Sequence, residues 1–296
     1  MKIAVTGASG LIGTPLVEAL TQDGHDVVRL VRGPASPAEG RRSWDPARGL
    51  LDPATIEDRD AVVHLAGAGV ADHRWTAAYK ETILRSRVLG TTAVAQAMAA
   101  AQGPRVLLSA SAVGWYGDTG ERLTDETGPP GKGFLAEVCR QWEAATAAAE
   151  QAGIRVVHLR TGIVLSGQGG ALKKQALAAK AFAGAPLGTG RQWLSWISLR
   201  DEVGAIRHLL TADVCGPVNL VAPSPVTNRE FTVTLNRVVH RPTVPVPVPA
   251  FVLRAALGKF ADEGVLVDQR LAPAVLGSSG FAFAHPDLES ALRASL

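Results

Sequence analysis

The stretch KIAVTGASGLIG, residues 2–13, constrains the fold of this chain more than any other feature. Its apolar run, Ile3–Val5, is typical of a buried strand in a parallel sheet. A turn that holds Gly7, Gly10 and Gly13 follows, and then a segment with apolar residues on one face of a helix. The order of strand, glycine-rich turn and helix favours a dinucleotide-binding unit over an ordinary βα turn.

Each glycine has a distinct part in that interpretation. Gly7 permits the tight turn, Gly10 lets backbone amides approach a pyrophosphate, and Gly13 lets the helix pack closely against the strand. The N-terminus of the helix adds unpaired N–H donors and a partial positive charge for the phosphates. A structural turn that happens to be glycine-rich is the alternative. The residues predicted here to bind a cofactor are Thr6, Gly7, Ser9, Gly10, Leu11, Ile12 and Gly13.

Composition limits the class of protein. The 296 residues are 47% hydrophobic and 19% charged, which is enough for a packed core and a modest appended subdomain. No apolar run is long enough for a membrane span, and a strand begins directly after Met1–Lys2, so we expect no signal peptide and a cytoplasmic protein. Cys139 and Cys215, the only cysteines, have no metal-ligand spacing, so no metal is expected. The net charge of +3 is spread out, without the basic block of a nucleic-acid-binding protein.

Strand and helix patterns alternate as far as about residue 160. This predicts an α/β protein with an extended Rossmann-type, doubly wound parallel sheet and right-handed crossovers. The predicted strands are Ile3–Val5, Asp26–Val31, Arg42–Trp44, Asp60–Ala66, Arg105–Ser109 and Arg155–Leu159, and the predicted helices are Thr76–Ala101 and Phe134–Ala152. Ligands of such sheets bind in the crevice at the carboxyl ends of the strands.

The pattern loosens after about residue 165, where a small mixed α/β C-terminal subdomain is expected. A helix is predicted at Ala171–Ala183 and a short strand at Trp193–Ile197. Alternate prolines make Val244–Pro249 an extended linker or edge strand. The tail is predicted to be mainly helical as far as Gly280, with a short strand at Phe281–Ala284. The predicted domains are residues 1–165, with later segments returning to the sheet, and residues 166–296.

The end of the second strand indicates which nicotinamide cofactor is bound. A carboxylate there binds the ribose 2′-hydroxyl of NAD, but this strand ends in Arg32, with Arg29 three residues earlier. An arginine suits a 2′-phosphate, so NADP(H) is favoured over NAD, with a solvated surface arginine as the alternative. Arg41 and Arg42 are further candidates, in a loop that the sequence does not place. The cofactor is expected to rest against the end of the third clear strand, at Leu65, Ala66 and Gly67.

The spacing TGASGLIG resembles the TGxxGxxG signature of the extended short-chain dehydrogenases/reductases, a family of epimerases, dehydratases and reductases. The resemblance implies a serine or threonine after the fifth strand and a Tyr-x-x-x-Lys pair on the next helix. In that family the tyrosine moves a proton and the lysine lowers the tyrosine pKa. Ser111, or else Ser109, matches the serine, with strand-end capping as the alternative. Ser109 is also counted among the cofactor-binding residues.

The tyrosine–lysine pair is absent from this chain. Alignment on Glu143 puts Leu135 at the tyrosine position and Cys139 at the lysine position. Tyr116, which follows the serine strand, is therefore the first substitute for the catalytic acid. A simple lining of the substrate pocket is the alternative for Tyr116. Cys139 has no identified activating partner and is interpreted as buried packing.

Other segments resemble one atypical branch of this family, the SDR39U1-like epimerase family proteins, whose C-terminal part is DUF1731-like. The segments are DAVVHLAGAGVADHRW, SRVLGT, SASAVGWYG, GFLAEVCRQWE, RTGIVLS, LGTGRQWLSWISLRDEV and the tail from Leu257 to Leu292. The resemblance implies NADP(H) binding, a DUF1731-like part at 245–296, and no particular substrate. It also places Arg160 and Ile163 beside the nicotinamide, although Arg160 is equally well explained as a surface charge.

Two functions follow from these observations. The first is an NADP(H)-dependent oxidoreductase or epimerase-like enzyme that acts on an unknown small molecule, with Ser111 and Tyr116 as its catalytic residues. The second is a regulatory or sensor protein that binds NADPH and has lost catalysis, which the missing tyrosine–lysine pair favours. Neither function involves nucleic acid or a membrane, and a monomer or homodimer suits both.

Overall fold

The computed structural model describes all residues, 1–296. Its strands are β1 (Lys2–Thr6), β2 (Asp26–Val31), β3 (Arg41–Ser43), β4 (Ala61–His64), β5 (Val106–Ala112), β6 (Arg155–Thr161), β7 (Ile163–Leu165), β8 (Trp193–Leu194), β9 (Trp196–Ser198), β10 (Gly216–Leu220) and β11 (Val226–Thr227). Its helices are α1 (Gly13–Gln22), α2 (Ala77–Ala100), α3 (Phe134–Ala144), α4 (Ala147–Gln151), α5 (Gly170–Lys180), α6 (Leu199–Thr211), α7 (Asn228–Val238), α8 (Ala250–Leu257), α9 (Ala274–Ser278) and α10 (Leu288–Ser295). One π-helical turn covers Ala261–Val265.

Seven strands form the central sheet, in the order β10-β6-β5-β4-β1-β2-β3. The chain runs outwards from β1 to β2 and β3, and then crosses back to β4 on the other side of β1. The pairs of β1 with β2, β1 with β4, and β4 with β5 are parallel. Thr6 is in register with His64, and His64 with Ser109, so these carboxyl ends lie side by side. The prediction of a doubly wound, Rossmann-type α/β fold is confirmed, and its switch point lies between β1 and β4.

The apolar strand runs form the core of the sheet. Ile3–Val5 and Ala61–Val63 are completely buried, as expected for parallel strands that are covered by helices on both faces. The alanine-rich helix α2 begins at the predicted place, where the Thr76 hydroxyl accepts a hydrogen bond from the N–H of Tyr79. Its alanines let it pack closely in this core.

The chain packs into two compact units, each made of three segments. Unit 1 comprises Met1–Ser111, Val138–Leu159 and Val203–Pro217, and unit 2 comprises Ala112–Glu137, Arg160–Glu202 and Val218–Leu296. Unit 2 has a core of its own, in which Trp196, Phe231 and Leu292 are buried. The division at residue 165 stays a prediction from the sequence.

Four predicted elements differ clearly from the structure. The helix predicted at Phe134–Ala152 is interrupted after Ala144, because the Thr146 hydroxyl donates to the carbonyl of Glu143, 2.7 Å away, in competition with helical hydrogen bonds. The helix predicted at 171–183 is α5, which begins and ends earlier.

The strand predicted at Trp193–Ile197 is divided at Ser195. Its hydroxyl donates to the carbonyl of Gln269 and accepts from the N–H of Leu271, and its carbonyl accepts from the N–H of Ile163. As a result β8 pairs with β11, and β9 pairs with β7.

The strand predicted at Phe281–Ala284 is absent. The N–H groups of Ala284 and His285 both donate to the buried Asp201 carboxylate, at 2.7 and 3.0 Å. A side chain, and not a neighbouring strand, therefore satisfies this backbone. Val248 pairs with Leu187 as an isolated bridge, in agreement with an extended segment at Val244–Pro249.

Candidate functional site

The glycine turn between β1 and α1 is held in close contact with the end of β4. Gly7 has a φ of +65°, and a Cβ atom there would lie 2.8 Å from the carbonyl carbon of Leu65. At Gly13 a Cβ atom would lie 2.1 Å from the carbonyl oxygen of Gly7. Both positions therefore require glycine, for the turn and for helix packing respectively. Gly10 is exposed, which leaves the outer side of the turn accessible.

The first amides of α1 are available to an anion. The helix has no side-chain cap at its N-terminus and no acidic residue in its first turn. The N–H groups of Leu11 and Ile12 have no hydrogen-bond partner within the chain. Unsatisfied amides at a helix N-terminus carry a partial positive charge, which suits phosphate oxygens. The turn thus fits the pyrophosphate of a dinucleotide.

Thr6 contributes to this site by holding two strands together. Its hydroxyl oxygen lies 2.8 Å from Nδ1 of His64 and accepts hydrogen bonds from the N–H groups of Leu65 and Ala66. The His64 ring is completely buried, which lowers its pKa to about 4, and a neutral ring can accept the Thr6 proton. The Thr6 side chain is fully engaged, so it positions Leu65 and Ala66 and is not free to contact a ligand.

Helix α2 fastens the loop that follows β4. The Ser86 hydroxyl accepts from the N–H of Ala68 at 3.1 Å, and Tyr79 donates its hydroxyl proton to the carbonyl of Gly69. Arg87 Nη1 donates to the carbonyl of Ala68 at 2.9 Å. We call the loops 6–13, 32–33 and 65–69 together the carboxyl edge, since they follow β1, β2 and β4.

Of the four arginines named from the sequence, Arg29 and Arg32 have no side-chain partner in the chain, and Arg32 is the one at the carboxyl end of β2. It is exposed, lies directly after β2, and makes no hydrogen bond or ion pair within the chain. Arg42 instead donates to the carboxylate of Asp58 at 2.6 and 2.8 Å, and Arg41 forms an ion pair with Glu39. Because the Asp58 and Glu39 carboxylates engage Arg42 and Arg41, Arg32 is the arginine at the end of β2 whose guanidinium is available to a 2′-phosphate.

Ser111, at the end of unit 1, lies in a chain of hydrogen-bonding groups. Its hydroxyl donates to Oε1 of the buried Glu143 at 2.7 Å, and Oε2 of Glu143 lies 3.6 Å from Nδ1 of His158. Nε2 of His158 is 3.0 Å from the Thr146 hydroxyl, beside the half-exposed Glu150. The arrangement connects a serine hydroxyl to the protein surface through a carboxylate and an imidazole. The sequence supplied Ser111 but not these partners.

Ser109 and Cys139 complete the description of unit 1. The Ser109 hydroxyl is buried without a hydrogen-bond partner, in register with His64. Cys139, which the sequence alignment predicts at the position of the family lysine, is buried on α3, and Leu135, in unit 2, is half-buried. Neither the thiol nor the leucine provides a fixed cation or a phenol.

Tyr116 lies in unit 2, in a cluster that we call the Tyr116 cluster (Trp115, Tyr116, Arg160 and Asn219). The tyrosine hydroxyl donates to Oδ1 of Asn219 at 2.7 Å and accepts from Nη1 of Arg160 at 3.0 Å. The guanidinium lies over the Trp115 ring, 3.9 Å from its centroid. Burial raises the pKa of Tyr116. This geometry favours a structural part for Tyr116, and the catalytic role remains a prediction.

Arg160 and Ile163 also have their polar groups engaged inside unit 2. Arg160 is buried in the Tyr116 cluster, so it is not the surface charge that the sequence allowed. The N–H of Ile163 donates to the carbonyl of Ser195 at 2.9 Å and is not available to a nicotinamide carboxamide. Their contact with a cofactor stays a prediction that this geometry does not support.

Unit 2 contains three buried acids that sequence reasoning missed, Glu126, Asp201 and Glu202. Glu202 is completely buried at the start of α6, where its Oε1 accepts from the Thr161 hydroxyl at 2.9 Å and its Oε2 has no partner. Burial raises the pKa of Glu202 to about 8, so the carboxyl is largely neutral at pH 7. The segment LRDEV is charged, so nothing in it predicted that Glu202 is buried.

No group of three or more His, Cys, Asp or Glu side chains is arranged to hold a metal ion. No helix combines the length and the apolar character that crossing a bilayer requires.

Comparison with known proteins identifies the family. The model of the NAD dependent epimerase/dehydratase family matches residues 3–220, and the domain of unknown function DUF1731 matches residues 248–295. The epimerase family protein Mb2239 of Mycobacterium bovis is 46% identical over 292 residues, which is 98% of this chain and 96% of that protein. The chloroplastic SDR39U1 homolog of Arabidopsis thaliana is 38% identical, over 99% of this chain and 86% of that protein.

A solved structure agrees with these sequence matches. The crystal structure of human epimerase family protein SDR39U1 with NADPH has a TM-score of 0.91 and 32% identity, and the match covers 100% of this chain and 99% of that one. The expected resemblance to SDR39U1-like proteins with a DUF1731 part is thereby confirmed. This chain belongs to the NAD dependent epimerase/dehydratase family, within its SDR39U1-like branch.

Proposed function

We propose that this protein is an NADP(H)-binding oxidoreductase or epimerase-like enzyme that acts on a small molecule. The observation that carries the proposal is the carboxyl edge, where open amides of α1 and an unpaired Arg32 lie at the ends of adjacent strands. The amides fit a pyrophosphate and the arginine fits a 2′-phosphate. The presence of NADPH in the human SDR39U1 structure supports this assignment.

A bound nicotinamide supplies the hydride chemistry of this family, and the protein has to manage the accompanying proton. In our proposal Ser111 exchanges that proton with a substrate oxygen while its own proton passes to Glu143. A carboxylate within hydrogen-bond distance of a hydroxyl can act on that hydroxyl as a general base. His158 connects Glu143 to surface groups, so the proton can reach solvent. Ser111 then replaces the absent tyrosine.

A regulatory protein that binds NADPH without catalysis is the second candidate. Leu135 and Cys139 stand where the family carries its proton donor and its cation, and the Tyr116 hydroxyl is tied to Asn219 and Arg160. The two candidates differ in whether Ser111 reacts. Turnover of any alcohol or carbonyl compound that depends on Ser111 supports the enzyme. Tight NADPH binding without turnover across a broad panel supports the sensor.

The cofactor is tested by a fluorescence titration of the purified protein with NADPH and, in parallel, with NADH. We expect micromolar affinity for NADPH and weaker binding of NADH, since only NADPH carries the phosphate. The variant Arg32→Asp is expected to weaken NADPH binding by about a hundredfold, or about 3 kcal/mol, while the affinity for NADH stays within about threefold.

The matched control is Arg105→Asp. Arg105 is also exposed and its side chain is unpaired, but it precedes β5 and so lies at the opposite edge of the sheet. We expect this variant to bind NADPH as the wild type does. Equal losses in both variants would mean that net charge and not a phosphate contact sets the affinity. No binding of either nucleotide to the wild type would overturn the proposal.

The remaining expectations also belong to this proposal. The substrate is a small molecule of unknown identity, the protein acts as a monomer or homodimer in the cytoplasm, and nucleic acid is not a partner. A sedimentation measurement with and without NADPH tests the oligomeric state directly.

A further inference from the structure

Thr146 lies where the helix is interrupted between α3 and α4, and its hydroxyl faces the ring of His158. The residue is completely buried, and its N–H and its hydroxyl both donate to the carbonyl of Glu143, at 3.2 and 2.7 Å. The hydroxyl oxygen also lies 2.9 Å from Oε1 of Glu150 and 3.0 Å from Nε2 of His158. One hydroxyl group therefore has three polar neighbours.

The three neighbours of this hydroxyl differ in what they can do with a proton. A backbone carbonyl and an ionised carboxylate can only accept a hydrogen bond, whereas an imidazole nitrogen can either donate or accept one. The Thr146 hydroxyl has a single proton to give, and the two oxygens that can only accept lie 2.7 and 2.9 Å from it. No proton of Thr146 is left for Nε2 of His158, so Nε2 has to be the donor in this contact and has to carry a hydrogen itself.

The other ring nitrogen of His158 faces Glu143. Nδ1 lies 3.6 Å from Oε2 of Glu143, whose Oε1 accepts the hydroxyl proton of Ser111 at 2.7 Å. The second carboxylate beside the ring is that of Glu150 on α4, whose Oε1 lies 3.5 Å from Nε2. Because Nε2 keeps its hydrogen, Nδ1 is the nitrogen at which the ring gains or loses a proton.

We propose that Thr146 is a positioning residue, which holds one proton on Nε2 of His158 and so leaves the lone pair of Nδ1 to accept a proton from Glu143. This inference rests on the proposed function, in which Glu143 takes up the proton of Ser111. The neutral carboxyl group then passes a proton to Nδ1, which restores the carboxylate and turns the ring into an imidazolium. The ring resets when it releases one proton to solvent. In the other tautomer Nδ1 already carries a hydrogen and cannot accept.

A nitrogen-15 NMR titration of the purified protein measures the two ring nitrogens separately. The chain has seven histidines, and comparison with the variant His158→Gln assigns the signals of His158. From pH 6 to pH 9 we expect Nε2 to keep the chemical shift of a protonated nitrogen, while only the shift of Nδ1 moves. In Thr146→Val a methyl group of similar size replaces the hydroxyl, so we expect a mixture of the two tautomers.

The matched control is Thr91→Val. Thr91 is also completely buried in unit 1, but it lies on α2 and its hydroxyl has no hydrogen-bond partner. We expect this variant and Thr146→Ser, which keeps the hydroxyl, to show the wild-type signals of His158. With the first substrate found in an alcohol and carbonyl panel, Thr146→Val should lower kcat about tenfold and leave KM within about twofold. The kcat of Thr91→Val and Thr146→Ser should stay within about twofold of the wild type.

Three results overturn the inference. The first is loss of the hydrogen from Nε2 in the wild-type titration, which needs no variant and is decisive even if Thr146→Val does not fold. The second is an unchanged His158 spectrum in folded Thr146→Val, which shows that another group holds the proton. The third is an unchanged kcat of Thr146→Val beside an impaired Glu143→Gln, which shows that the tautomer does not affect the reaction. Failure of the proposed function is a separate result, because Glu143→Gln would then be fully active whatever the state of the ring.

Discussion

The carboxyl edge and the Tyr116 cluster are both rich in polar groups, but they use them differently. At the carboxyl edge the amides of Leu11 and Ile12 and the guanidinium of Arg32 have no partners in the chain. In the Tyr116 cluster the Tyr116 hydroxyl accepts from the Arg160 guanidinium and donates to Asn219. Polar groups that the chain leaves unsatisfied point to a ligand, whereas groups that satisfy one another stabilise the fold. The chemical type of a residue does not distinguish these cases.

The largest effect is expected from a change at the carboxyl edge, Gly13→Ala. The new Cβ would lie 2.1 Å from the carbonyl oxygen of Gly7, so α1 and the turn have to separate. We expect loss of about 3 kcal/mol of stability and of all measurable NADPH binding. Urea unfolding and the nucleotide titration measure the two effects.

Gly24→Ala is the control for that variant. Gly24 has a φ of +79° with no atom near the added Cβ, so the variant incurs backbone strain without a clash. It should lose about 1 kcal/mol of stability and keep its NADPH affinity. If Gly13→Ala retained normal affinity, the turn would not be the phosphate site.

Glu202 is one of several exceptions inside unit 2, since its Oε2 is buried without a partner, as are Oε2 of Glu126, Oδ1 of Asn236 and Nε of Arg270. Its pKa is raised from 4.5 to about 8, so between these values the folded state holds a proton that the unfolded state releases. Stability contributed by this group is therefore present below about pH 4.5 and declines as the pH rises to about 8. Between pH 6 and pH 8 we expect Glu202 to account for a loss of about 2 kcal/mol.

Glu202→Gln should remove most of that decline in the free energy of unfolding. Urea denaturation at pH 6, 7 and 8 measures it, and the exposed Glu121→Gln is the control. His64 acts in the opposite direction, because its pKa is lowered to about 4 and its contribution is lost as the pH falls below about 6.5. A decline between pH 6 and 8 that persists in Glu202→Gln would show that another group titrates there.

Glu143→Gln tests whether Ser111 belongs with the reactive groups or with the structural ones. The amide can still accept the Ser111 hydrogen bond, but it cannot take up the proton. We expect turnover of the first substrate found in an alcohol and carbonyl panel to fall about a hundredfold, with unchanged NADPH binding. Glu150→Gln, on the outer side of His158, is the control and should lose less than about threefold. Equal activity of wild type and Glu143→Gln would remove Glu143 from the mechanism.

Sequence reasoning succeeded where the signal is local. The apolar run of β1, the glycine spacing and the start of α2 each depend on residues a few positions apart, and all are found in the structure. The interruption at Ser195 depends instead on Gln269 and Leu271, more than seventy positions away. The same holds for Glu202, whose burial appears only when its folded neighbours are known. Hydrogen bonds between residues far apart in the sequence therefore decide which polar groups keep no partner in the chain.

Tyr116→Phe is the most direct test of the Tyr116 cluster, and the smallest effect is expected from it. Removing the hydroxyl leaves Oδ1 of Asn219 without this donor and takes one acceptor from Nη1 of Arg160, which still faces the carbonyl of Glu126 at 3.4 Å. Each buried group that loses its partner costs about 1 kcal/mol or more, so a loss of about 1–2 kcal/mol of stability is expected, with turnover and NADPH affinity unchanged. Val113→Ala, a nearby buried truncation without a polar group, is the control for a general loss of stability. If Tyr116→Phe kept its stability and lost turnover, Tyr116 would be the catalytic acid. Satisfied hydrogen bonds in the protein without ligand would then no longer distinguish structural groups from reactive ones.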